Sequence, residues 1–498
     1  MKVLIASSEV VPFAKTGGLA DVCGSLPLRL ADLGHEVIVF MPGYSCVQQE
    51  QFQFEPTGID LNIPIGSSLI DGQLARSVLP GSKIPVYAIK NSDYFNRDQL
   101  YGENGEDYAD NCERFVFFCR AVLESVRLMD WKPDVIHAND WQTGLIPALL
   151  KTEFAGAPFY ENIASLLTIH NLAYQGSFWH WDMLLTGLDW KYFNWKQMEF
   201  FGRLNLLKTG ISFADAISTV SPTYAVEIQT EQHGCGLDGI LRYRSDVLSG
   251  ILNGIDTNEW NPATDEHLVV NYDRKSWRDG KPACKTALQQ DRGLPVEAKT
   301  PLIGIVGRLA SQKGWSLILP VMERWLAESN VQWVVLGTGQ PEFHQALSQL
   351  AEQYPNKLSV ELGFSNALAH QIESGADMFM MPSEYEPCGL NQMYSLAYGT
   401  LPIVRATGGL ADTVIHASEE TVANGTANGF KFDDFSTEAL AEALTSALTT
   451  YQNFPGAWNQ MVDTGMQQDW SWTASAKRYS RLYEQTIAKK LEHHEAVS

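Results

Sequence analysis

Paired cysteines are missing from this chain. Its seven cysteines run from Cys23 to Cys388, an odd number with no C-x-x-C spacing. A disulfide framework or a zinc ribbon is thereby excluded, and reduced thiols in a cytosol fit the count. Positive charge is scarce too: 36 Lys and Arg stand against 58 Asp and Glu, for a net charge of −22. Nucleic-acid binding needs a basic stripe, so no nucleic acid is expected as a partner. A phosphate-bearing substrate would have to be held by a few local cations against the overall field. Lys15, Arg308 and Lys313 stand out for that reason. No apolar run reaches membrane-spanning length, so no membrane partner is expected. The opening MKVLIASSEV has too short an apolar run for a signal peptide, and a lysine–glycine loop stands where a cleavage site would fall. It reads as a first buried strand, and the expected location is cytoplasmic. Neither H-E-x-x-H nor D-x-D occurs, so no metal is expected.

What the chain does have is alternation. At 498 residues, 45 % apolar and 19 % charged, it has the composition of a globular protein and room for two to four domains. Apolar strands at Lys2–Ser8, HEVIVFMP, IPVYAIKN, DVIHAND, SLLTIHN and AISTVS alternate with helical spacings. Residues 44–80 read as hairpins or loops. A polar, weakly periodic stretch at 261–300 reads as the linker and entry to the second domain. The alternation then restarts with PLIGIVGRL, VQWVVLGTG, KLSVELGF, DMFMMPS and LPIVRA. Such regularity predicts an α/β fold of parallel strands with right-handed crossovers. From Thr437 the chain is helical, and Ala474–Leu491 forms one amphipathic helix. The hexapeptide TGGLAD occurs twice, at Thr16–Asp21 and Thr407–Asp412. Repeated turn chemistry in both halves predicts two Rossmann-like domains facing one cleft.

In open α/β sheets, ligands bind at the carboxyl ends of strands, and the polar motifs cluster there. In KTGGLAD, Gly17 and Gly18 can turn with positive φ while the helix behind offers free N–H groups to an anion, with Lys15 beside them. Taken alone, the glycines fit a plain strand-to-helix turn equally well. GRLASQKG places Arg308 and Lys313 around the first strand end of the second half, where they can clamp a diphosphate. It lacks the spacing of a Walker loop. Glu386 stands in a loop ahead of a helix, able to bind sugar hydroxyls or face developing positive charge. Any glutamate complementing a helix start would sit there too. Cys388 reads as a small buried thiol. His137 and His170 end two strands; His170 is expected to donate a hydrogen bond to substrate.

KTGGLADV, HANDW, HNLAYQG, STVSPTYAVEI, GILNGID, GRLASQKG and PSEYEPCGLNQMYSLAYGTLPIVRATGGLADTV occur in that order. Together they closely resemble bacterial glycogen synthases and plant starch synthases over nearly the whole chain. That resemblance implies the GT-B fold, with an N-terminal domain 1–250 joined by a C-terminal helix at about 474–498, and a nucleotide-sugar-binding domain 251–473. It implies retaining, metal-free transfer of glucose from ADP-glucose to the non-reducing end of an α-1,4-glucan, without a resident cofactor. Lys15 matches the donor-site lysine, Arg308 and Lys313 the diphosphate pair, and Glu386 the glutamate facing the donor glucose. His170 matches the histidine near the sugar's 6-hydroxyl, and Asp140 and Asn253 match cleft residues. Gly18 and Gly409, with Gly17, Thr407 and Gly408 around them, match the glycine turns that admit phosphate and sugar. Two positions depart from the pattern. Tyr394 replaces a second glutamate common in wider retaining transferases, and Phe364 replaces a tyrosine, keeping a ring to stack on adenine.

On this reading Arg308, Lys313 and Lys15 stabilise the departing ADP while Glu386 orients the glucose from the opposite wall. A second hypothesis is a glucan-binding protein without turnover, using Tyr94, Phe95, Trp141 and Trp179 as stacking rings. A third keeps the enzyme and changes the donor to UDP-glucose or another hexose nucleotide.

Overall fold

The computed structural model describes residues 1–103 and 105–497, and the side chains of all of these up to 492; Ser498, the expected end of the terminal helix, lies outside them. Contacts divide the chain into two units, Met1–Asn253 with the helix that begins at Trp472, and Gly254–Ser471.

The first unit is built on nine strands: β1 (Lys2–Ala6), β2 (Glu36–Pro42), β3 (Glu55–Ile65), β4 (Ser68–Val78), β5 (Pro85–Lys90), β6 (Val135–Asn139), β7 (Ala164–Ile169), β8 (Ala216–Thr219) and β9 (Leu248–Gly250). Their order is β9-β8-β7-β6-β1-β2-β5-β4-β3. Pairing is parallel from β9 to β5, and the β3–β4 hairpin closes one edge antiparallel. Sequence explains the difference. β6 and β7 are buried at every residue, as parallel strands covered on both faces must be. In β3, burial alternates from Leu61 to Ile65, the period of a strand with one wet face. Strand order reverses between β1 and β6, so the loops leaving their carboxyl ends diverge and open a crevice.

The terminal helix, Trp472–Val497, completes this unit. Tyr479 and Tyr483 are fully buried, and the Tyr483 hydroxyl lies 2.8 Å from His137 Nδ1. Ser480 Oγ meets His35 Nε2 at 2.8 Å, and Ser475 Oγ donates to the Leu252 carbonyl.

The second unit holds β10 (Leu302–Val306), β11 (Gln332–Gly337), β12 (Leu358–Leu362), β13 (Met378–Met381), β14 (Leu401–Arg405) and β15 (Phe430–Phe432). All are parallel, in the order β12-β11-β10-β13-β14-β15, so the reversal falls between β10 and β13. The stretch 261–300 is not a simple linker. It contains a helix, Trp277–Asp291, that buries Trp277, Cys284 and Leu288. Lys281 and Lys285 also point inward, 7 % and 5 % exposed. Lys281 Nζ donates to Thr400 Oγ1 at 2.5 Å and the Ser374 carbonyl at 3.0 Å. Lys285 Nζ pairs with Asp377 at 2.7 Å. Two lysines on the buried face erase the apolar period that would have marked this helix. Among the described residues, no helix is long and apolar enough to cross a membrane.

Candidate functional site

In the first unit, the loop after β1 leads into α1 (Gly18–Asp32). The expected positive φ is absent there. Gly17 is extended, at φ −156° and ψ −168°, and Gly18 simply begins the helix. A Cβ added to either would meet nothing within 4 Å among the described residues. The N–H groups expected to be free are partly taken. Glu9 Oε2 accepts from Thr16 N at 2.5 Å and Gly17 N at 3.2 Å. Its Oε1 accepts from Thr16 Oγ1 and the Tyr101 hydroxyl, each at 2.6 Å. This carboxylate, 4 % exposed, is a resident anion at the helix start, so an incoming one must use other groups. Sequence reasoning passed over Glu9; the polar run Ser7-Ser8-Glu9 at the end of a buried strand was the available signal. Lys15 Nζ lies 2.7 Å from Asp21 Oδ1, with its side chain 54 % exposed. Exposed pairs are worth about 0–1 kcal/mol, so a stronger anion can draw the ammonium away.

Asp140 leaves β6 at φ +56° and ψ −171°, a region that costs a non-glycine residue on the order of 1–3 kcal/mol and gathers at functional sites. Its Oδ1 accepts from His170 N at 2.7 Å. Burial, with a smaller push from the Glu9 charge, raises its carboxyl to about 7. His170 Nε2 is 2.9 Å from Asn139 Oδ1. Asn139 Nδ2 donates to the carbonyls of Ala6 and His137 at 3.0 and 3.2 Å, which fixes Oδ1 as the acceptor and puts the imidazole proton on Nε2. Burial lowers His170 to about 3, so the ring is neutral. Nδ1 is therefore an acceptor, and the expected donor role is corrected. His137 is a packing residue: its Nδ1 meets Tyr483, and its Nε2 lies 2.5 Å from Thr168 Oγ1. Asn253 is 7 % exposed, and its Oδ1 finds no hydrogen-bond partner among the described residues. Of the four rings offered for stacking, Tyr94, Phe95 and Trp141 are buried, and only Trp179 is open, at 59 %.

These groups make the unit acid-sensitive. His137 and His170, both lowered to about 3 by burial, take up protons below about 6.5 only when unfolded, so stability is lost as pH falls from 6.5 toward 3. Asp140 has the opposite sign. It stays protonated in the fold up to about 7 but ionises above about 4 when unfolded, and so costs stability as pH rises through the same window. Asp140→Asn removes the opposing titration. Its unfolding free energy should fall more steeply below pH 6.5 than that of the parent, by about 1.4 kcal/mol per pH unit. Denaturant titrations at pH 4.5–6.5 measure this, and parallel slopes would remove the raised carboxyl.

In the second unit, Arg308 follows β10 on an exposed turn. Its guanidinium makes no hydrogen bond or ion pair among the described residues. Lys313 closes a short 3₁₀ turn, Ser311–Lys313. Gly314, at φ +79°, then packs so tightly that a Cβ would stand 2.2 Å from the Pro382 carbonyl, which joins the loops after β10 and β13. Lys313 Nζ lies 2.5 Å from Glu386 Oε2, and the same oxygen accepts from Ser383 Oγ at 3.0 Å. Glu386 is 7 % exposed. The expectation of opposite walls fails: Glu386 and Lys313 are partners on one unit, because β10 and β13 are neighbours.

The second TGGLAD is bound to the same loop. Gly408 has φ +44°, and a Cβ there would fall 2.0 Å from the Glu386 carbonyl; one at Gly409 would fall 2.0 Å from that of Cys388. Gly409 N also donates to the Glu386 carbonyl at 3.2 Å. Thr407 is buried ahead of them, as is Cys388. The glycines that the resemblance gives to phosphate and sugar here admit backbone carbonyls. Phe364, past β12, is 91 % exposed. Tyr394 stacks on Trp260 at 3.8 Å, with His370 at 3.8 Å as that indole's other stacked neighbour, so packing occupies the position of the missing second glutamate.

Residues 2–243 match the starch synthase catalytic domain, and residues 288–460 match glycosyl transferases group 1. The catalytic domain of starch synthase IV from Arabidopsis thaliana, bound to ADP and acarbose, superposes with a TM-score of 0.89 at 34 % identity, covering 98 % of this chain and 99 % of that one. A sucrose-phosphate synthase from Thermosynechococcus elongatus, 18 % identical with a TM-score of 0.59, shares the fold. Two Rossmann-like units with charged loops at their strand-order reversals are thus a glycosyltransferase of the GT-B class. A glycogen synthase from Rhodopirellula baltica is 48 % identical over 98 % of either chain, and one from Syntrophotalea carbinolica is 46 % identical over 98 % of this chain and 99 % of its own. The chain belongs to the glycogen synthase and starch synthase family.

Proposed function

We propose that the protein transfers glucose from ADP-glucose to the non-reducing 4-hydroxyl of an α-1,4-glucan, with retention, elongating glycogen. The observation that carries this reading is the pair of loops after β10 and β13: a Lys313 ammonium held by Glu386, with the exposed Arg308 on the same loop as Lys313 and its guanidinium without a partner among the described residues. A departing nucleoside diphosphate gains negative charge as its bond to the sugar breaks, and fixed cations aimed at that charge lower the barrier. Arg308 and Lys313 do this, and Lys15 adds a third cation. Glu386, bonded to Lys313, faces the glucose and the positive charge developing on its ring. Asp140, the His170 Nδ1 and the orphan Asn253 Oδ1 receive sugar hydroxyls, Phe364 stacks on adenine, and the open space at Gly17 and Gly18 leaves room for the ligand. Thr407, Gly408 and Gly409 shape the Glu386 loop. The glucan hydroxyl attacks and passes its proton to the leaving phosphate, so the reading calls on no resident cofactor. It is supported by the starch synthase neighbour, which is bound to ADP and acarbose.

Incorporation of labelled glucose into glycogen from ADP-glucose and from UDP-glucose tests it. ADP-glucose is expected to give the higher kcat/KM, with the label released by an α-1,4-specific amylase. Preference for UDP-glucose overturns the donor assignment, and glycogen binding without incorporation makes the protein a binder only.

A further inference from the structure

We infer that the aromatic surface running from Phe178 to Phe193 is a binding track for the body of the glucan chain, beyond its reacting end. The inference rests on the transfer reading above. Its root is Trp141, the residue after Asp140, whose buried ring lies 5.6 Å from Phe178. Trp179 follows, and ring centroids then step from Trp179 to Trp181 at 6.4 Å, Trp181 to Trp190 at 5.5 Å, and Trp190 to Phe193 at 5.4 Å. The three tryptophans remain 59 %, 49 % and 39 % exposed. Indole normally dominates cores and interfaces, and an open cluster of this kind marks a binding surface.

Chemistry selects the occupant. A pyranose has an apolar C–H face ringed by hydroxyls, so it matches flat rings set among hydrogen-bonding groups. Such groups adjoin Trp190: Asp189, Lys191 and Tyr192 line a cavity of about 390 Å³ with Arg120 and Glu153, which are paired through two contacts of 3.1 and 2.6 Å. The rings are mutually edge-on, with interplanar angles of 67°, 79° and 74° along the tryptophan–phenylalanine steps. They therefore offer faces in alternating directions, which suits a helical polymer better than a flat protein surface. Chain position sets the location: Phe178, the residue before Trp179, lies against Trp141, which follows Asp140 in the chain. A long acceptor whose end reacts there needs support for the rest of its length.

The test uses the full-length enzyme with Trp179→Ala and Trp181→Ala combined. KM is measured for glycogen and for maltotriose at saturating donor, with retardation in glycogen-containing native gels. Glycogen KM should rise about tenfold and gel retardation should vanish, while maltotriose KM and kcat stay within about twofold. Trp179→Leu, which keeps apolar bulk without a flat face, should weaken glycogen binding in the same direction, and it serves if the double variant does not fold. Trp195→Ala, outside the ladder though 72 % exposed, should change nothing. Unchanged glycogen KM and retardation in a variant that still incorporates glucose overturn the track and leave the transfer reading standing. Wild-type enzyme that incorporates no glucose overturns the transfer reading, and with it this inference. Light scattering that shows the variants only dissociating, with glycogen affinity intact, assigns the surface to a second copy of the chain and also overturns it.

Discussion

Replacing Arg308 with alanine should lower kcat/KM for the nucleotide sugar about 10²–10³-fold, the usual cost of removing one preorganised group from a developing anion, and leave the melting temperature unchanged. The second half follows because the guanidinium makes no hydrogen bond or ion pair among the described residues, so nothing described in the fold misses it. Lys313→Ala should lose comparable activity and also stability. It strands Glu386, 7 % exposed, whose carboxylate keeps the hydrogen bond from Ser383 Oγ, and an under-satisfied buried charged group costs roughly 1–3 kcal/mol. Adding Glu386→Gln should recover the melting temperature without the activity. Steady-state kinetics beside thermal melts separate the cases. Arg308→Ala with kcat/KM within threefold of the parent would end the diphosphate clamp.

The second large effect contrasts two copies of one hexapeptide. Gly409→Ala forces a methyl to within 2.0 Å of the Cys388 carbonyl, and backbone cannot rotate away as a side chain can. Overpacking of this severity costs about 3 kcal/mol or more, a fall of about 6–12 °C for a unit of this size, and the Glu386 loop moves with it. Gly18→Ala meets nothing within 4 Å and gains helix propensity, so its melting temperature should hold or rise slightly. On the proposed reading its added methyl enters space left for the ligand, and KM for the donor should rise. Equal destabilisation of both variants would show that the two loops share one geometry after all.

Much of the fold was legible because parallel strands buried on both faces read as unbroken apolar runs. HEVIVFMP became Glu36–Pro42, and DMFMMPS became Met378–Met381. The helix Trp277–Asp291 was not, since Lys281 and Lys285 sit where its pattern called for apolar residues. In the candidate site, Arg308, Lys313 and Glu386 could be placed at strand ends from the sequence. The contact of Lys313 with Glu386 could not, because it depends on β10 and β13 lying side by side despite two intervening strands, and that is a property of crossover order. Backbone angles were likewise hidden: TGGLAD adopts an extended entry at Gly17 and a left-handed one at Gly408. The difference comes from the neighbouring loop. Glu9 was missed because its work is internal, holding N–H groups that were expected to be vacant.

The helix from Trp472 has a consequence for how the protein is made. The interior of the first unit includes Tyr479 and Tyr483, which leave the ribosome only after all of Gly254–Ser471. At about 5–20 residues per second, residues 1–253 wait roughly 10–45 s for that closing piece. The contiguous second unit carries its full core when it emerges, so the later-made half can mature first, and the earlier-made half spends that interval with β6 uncovered, when a chaperone would find it.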